Sequence, residues 1–77
     1  MNETYKKEIL TSALEGRIRE VTEYQVNIDN FKLAIELIGD SEDLQDFKSQ
    51  IESLLSSNTH ELGKAQIMLE VIQSQME

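Results

Sequence analysis

Residues 10–38, LTSALEGRIREVTEYQVNIDNFKLAIELI, decide the fold. Within them Leu10, Leu14, Arg17, Val21, Tyr24, Ile28, Phe31, Ile35 and Ile38 recur at alternating steps of four and three residues. Arg17 alone among them is neither apolar nor aromatic. Such steps keep side chains on one stripe of an α-helix, so this is the seam of a long helix that lies against another helix. Proline is absent and helix formers dominate from Glu3 onward. A first helix is therefore predicted over about residues 3–38, roughly 54 Å long at about 1.5 Å per residue.

Gly39 has the residue type that turns left-handed past a helix end at no cost from a Cβ. Asp40 then offers a side-chain oxygen to open a second helix, with Glu42 and Asp43 set against its positive end. The second arm shows Leu44, Phe47, Ile51, Leu54 and Leu55 on one face before it meets Ser56, Ser57, Asn58 and Thr59. These four residues favour caps and turns, and Glu61 follows Asn58 at the spacing of a capping box, so a kink or break is predicted near Ser57–Asn58. Leu55, Leu62, Leu69 and Met76 nevertheless stand seven apart, and Leu44, Ile51, Ala65 and Ile72 form a second such series in which Asn58 takes the missing place. Register kept across the gap implies one kinked arm or two nearly collinear helices, over about residues 41–57 and 59–75. The predicted fold is all-α: one helical domain over residues 1–77, a long hairpin with a kinked or broken second arm. A hairpin buries a single stripe per arm, so a helical bundle formed by oligomerisation is expected.

Fifteen acidic residues against seven basic give a net charge of −8, which repels phosphate backbones and anionic lipid alike. No direct nucleic-acid contact is expected. Acidity is concentrated in residues 40–63, with six acids and one base, where a solvated face that keeps a small protein in solution competes with a surface for a basic partner. The chain has no cysteine, which excludes disulfides and thiol chemistry and fits a reducing cytoplasm. No signal segment opens it, so Met1 reads as the start of a cytoplasmic chain. The apolar stretch from Leu33 to Ile38 is far too short for membrane insertion.

Little in the chain can carry chemistry. His60 is the single imidazole, and without a second histidine or a cysteine it reads as an exposed turn residue rather than a metal ligand or base. Asp40, Glu42, Asp43 and Asp46 lack the spacing of a calcium loop and read as helix-start acids. No serine or threonine has the partners of a nucleophile, and no glycine-rich phosphate loop is present. An enzyme is not expected, nor a cofactor, a metal or a catalytic residue. Arg17 is expected to lay its stem on the core and pair with a carboxylate of the other arm, and Asn58 to set the pairing register from a core position.

A simple hairpin does not account for a second stripe on the first helix. Val26, Asn30, Leu33 and Leu37 lie at steps of four, three and four, on a face roughly opposite the seam. They are the candidate protein-binding residues, for a second copy or a different protein, unless the third segment of the chain folds back over them.

The stretch Arg17–Asp40, RIREVTEYQVNIDNFKLAIELIGD, with the lysine- and glutamate-rich opening before it, resembles the small accessory proteins of T-even-like bacteriophages. Among these it is similar to the cytoplasmic antiholins of lysis inhibition. The resemblance implies a phage-encoded regulator that delays lysis by binding a holin's cytoplasmic segment. The residues alone support a non-enzymatic, helix-mediated protein binder, with a self-associating homo-oligomeric assembly module as the alternative. An acidic mimic of nucleic acid ranks third, because it needs two rows of carboxylates on one face.

Overall fold

The computed structural model describes residues 2–76; Met1, read above as the chain start, and Glu77 lie outside the described residues. Asn2 caps the first helix, α1 (Glu3–Ile38), by accepting a hydrogen bond from the Tyr5 amide at 2.8 Å. This satisfies one of the amides that a helix start leaves without a partner. At the other end the Gly39 amide donates to the Ile35 carbonyl at 3.1 Å. Gly39 has φ 53° and ψ −126°, the one positive φ among the described residues, and a conformation that a side chain at this position would strain.

The second arm opens with a single 3-10 turn, Glu42–Leu44, and continues without interruption as α2 (Gln45–Met76). Its cap is Ser41 rather than the predicted Asp40, and no side-chain oxygen closes it. The corner is tied from the other side. Gln45 Nε2 donates to the carbonyls of Ser41 and Gly39 at 2.8 and 3.2 Å, and Lys48 Nζ donates to the Gly39 carbonyl at 3.1 Å. The last turn of α1 holds no basic residue of its own, so Lys48 supplies the positive charge that its carbonyl end favours.

The predicted break at Ser57–Asn58 is absent. Asn58 Nδ2 donates to the Leu54 carbonyl at 2.8 Å, and the Thr59 hydroxyl donates to the Leu55 carbonyl at 2.7 Å. Polar side chains that bond one turn back satisfy themselves on the helix instead of ending it. The capping box with Glu61 does not form either; Glu61 pairs with Lys64 at 3.2 Å.

The two arms make an antiparallel hairpin, a rod of 61 × 16 × 14 Å. All nine residues of the α1 seam are buried or half-buried, and α2 answers with Lys48, Ile51, Leu55, Asn58, Leu62, Ala65, Leu69 and Ile72 at the same alternating steps. Phe47 and Leu54, predicted on this face, point outward. Neighbours such as Leu54 and Leu55 stand about 100° apart on a helix, so only one of them can face the seam. Burial is thin. Among the described residues only Ile28, Ile51 and Ala65, at 4%, 6% and 2% exposed, are fully enclosed.

Candidate protein-binding face

Residues seven apart return to nearly the same angle on a helix, so each arm can be read as rows parallel to the seam. In an antiparallel pair, corresponding rows of the two arms lie on the same broad side. One broad side takes the α1 rows through Ala13, Glu20, Asn27 and Ala34 and through Ile9, Gly16, Glu23, Asn30 and Leu37. From α2 it takes the rows through Phe47, Leu54, Glu61 and Met68 and through Gln50, Ser57, Lys64 and Val71. Ile9, Leu37, Phe47, Leu54, Met68 and Val71 are all exposed there.

The opposite broad side is polar. Its rows hold Thr11, Ile18, Gln25 and Lys32 with Glu8, Glu15, Thr22, Asp29 and Glu36 from α1, and Glu52, Thr59, Gln66 and Gln73 with Ser49, Ser56 and Glu70 from α2. Ile18 is its one exposed large hydrophobic among the described residues. Its carboxylates fill one row on α1, Glu8, Glu15, Asp29 and Glu36, with only Glu52 and Glu70 scattered on α2, where a nucleic-acid mimic needs two full rows.

The apolar side is divided along its length. Leu37, Phe47 and Leu54 gather toward the hairpin turn, and Ile9, Met68 and Val71 toward the termini. Between them runs a polar belt of Glu20, Glu23, Asn27, Asn30, Ser57, Glu61 and Lys64. Asn27 Nδ2 reaches Asn58 Oδ1 across the hairpin at 3.5 Å, a long contact between the arms. Arg17 bonds Glu20 one turn along α1, at 3.1 and 3.2 Å, and not the predicted carboxylate of the other arm. At the terminal end of the rod lies an open hollow of about 490 Å³, lined by Glu3, Lys6, Lys7, Leu10, Thr11, Gln75 and Met76.

The predicted stripe lies on the back of α1 and at the edge of this apolar side. Val26 and Leu33 stand on the outermost row, whereas Asn30 and Leu37 border the face itself. All four are exposed, Leu37 at 77%, and no third segment of the described residues folds over them. The wider face was missed because each arm was read alone. The signal was present in Phe47, Leu54 and Met68, which share a seven-residue series.

The remaining candidates stay apart. His60 is exposed on the unbroken α2, not in a turn, and Asp40, Glu42, Asp43 and Asp46 are exposed around the corner. Among the described residues no three histidine, cysteine or carboxylate side chains gather into a possible cation site, and no buried side-chain polar atom lacks a partner. Among the described residues no helix is long and apolar enough to cross a membrane.

A family model described as "Uncharacterized protein conserved in archaea (DUF2067)" matches residues 1–77. No curated protein and no solved structure matches the chain. An archaeal family overturns the resemblance to phage accessory proteins, and with it the phage-encoded regulator, the holin partner and the delay of lysis. What Arg17–Asp40 shares with those proteins is the charge-laced surface and apolar seam that any long amphipathic helix presents. By a match that covers its full length, the chain belongs to this family conserved in archaea.

Proposed function

We propose that the chain is a non-catalytic assembly module that self-associates through the apolar broad side of its hairpin. The observation that carries this reading is the contrast between the two broad sides, with six exposed large hydrophobics on one and a single one on the other among the described residues. Surface area supports it. The hairpin exposes 5858 Å², whereas a compact monomer of its 8.8 kDa mass would expose about 4,800 Å². In projection a broad side of the 61 Å rod offers roughly 900 Å², slightly more than the ~800 Å² per partner of a standard interface. A reducing, cytoplasmic setting belongs to the same proposal and rests on the acidic, cysteine-free composition.

Sedimentation velocity over a concentration series tests it. The wild type should sediment as a dimer or small oligomer, and Leu37→Glu with Leu54→Glu should shift it to monomer with its circular dichroism unchanged, since both residues are exposed. Two buried carboxylates per copy should raise the dissociation constant by at least about 100-fold. Ile18→Glu, on the polar side, should leave assembly intact. A wild type that stays monomeric at every concentration would sink the proposal.

A further inference from the structure

We infer that the partner copy lies antiparallel on the apolar side, with the acidic turn of each hairpin set beside the lysine-lined hollow at the open end of the other. This rests on the self-association proposed above and adds its geometry. Charge is the first argument. Asp40, Glu42, Asp43 and Asp46 crowd one end of the rod, and all four are exposed. Lys6 and Lys7 stand at the other end, where they line the hollow with Leu10, Met76 and a single acid, Glu3. A parallel dimer would stack two acidic turns against each other, whereas an antiparallel one places each turn against a hollow in which two lysines outnumber Glu3. Like charges brought together across an interface are a strong term against a wrong arrangement.

With one copy reversed, each α2 lies on the α2 of its partner and the polar belt meets its own image at the centre, where Lys64 of one copy can find Glu61 of the other. A two-fold interface requires this self-complementarity.

Spin labels decide the orientation, because a chain without cysteine accepts a single unique one. Asp43→Cys places a label at the exposed turn. In the full-length dimer, pulsed electron resonance should give a label-to-label distance above half the 61 Å length of the rod. Mixing the Asp43→Cys chain with a Lys7→Cys chain, each singly labelled, should add a short distance between unlike labels. A turn-to-turn distance below half the rod length overturns the antiparallel arrangement while leaving self-association standing. Absence of any intermolecular distance in a chain that sediments as monomer overturns both.

Discussion

Arg17 stands on the α1 seam between Leu14 and Val21, at a place where the pattern calls for an apolar side chain. It is half-buried, and its hydrogen bonds go to Glu20 on the same helix, a pair in which both side chains are 37% exposed. Exposed pairs of this kind contribute about 0.2–1 kcal/mol, whereas a leucine enclosed at a seam contributes about 1.5 kcal/mol or more. Arg17→Leu should therefore stabilise the hairpin by roughly 1 kcal/mol, which for a domain of this size is about 4–8 °C in the melting temperature. The measurement is thermal unfolding at fixed protein concentration, because assembly would otherwise move the midpoint. A lower midpoint would show that Arg17 has a partner outside its own helix.

At the scale of the element, the seam and the bounds of α1 were legible, because periodicity and a glycine stop are local signals. The entry to α2 was less so. Lys48 takes a seam position that a charged residue does not announce, and it does so because its ammonium reaches the Gly39 carbonyl at the end of α1. Only the folded corner shows that acceptor. Continuity through Ser56–Thr59 was hidden for a related reason: Asn and Thr are read as breakers from intrinsic preference, yet here both bond one turn back on α2. Of the candidate site, Leu37 and its stripe were legible from one helix, but the broad face needs rows from two arms brought side by side. Thr59→Pro tests the continuity directly. Inside an unbroken helix, proline removes a backbone bond and clashes with the preceding turn, at a cost of about 3 kcal/mol; at a break it would be tolerated. Urea unfolding should show the large loss for Thr59→Pro and less than about 1 kcal/mol for the control Thr59→Ser.

The whole molecule is a thin rod, and its shape and charge pull in different directions. Its radius of gyration of 17.6 Å compares with about 11–12 Å for a compact domain of the same length. A rod two helices thick cannot enclose much, so the apolar side favours association. A net charge of −8 on each copy opposes it. Repulsion of this kind reaches about 30 Å at 0.01 M salt and only about 4 Å at 0.5 M, whereas apolar burial is not screened. The attraction between an acidic turn and Lys6 with Lys7 weakens as well, but it involves fewer charges than the repulsion between the two copies. Self-association should therefore tighten as salt is raised across that range, by on the order of ten-fold in the dissociation constant, with sedimentation equilibrium as the readout. Assembly that falls apart steeply in salt would mean that opposite charges hold the copies together, and the apolar side would lose its claim to be the interface.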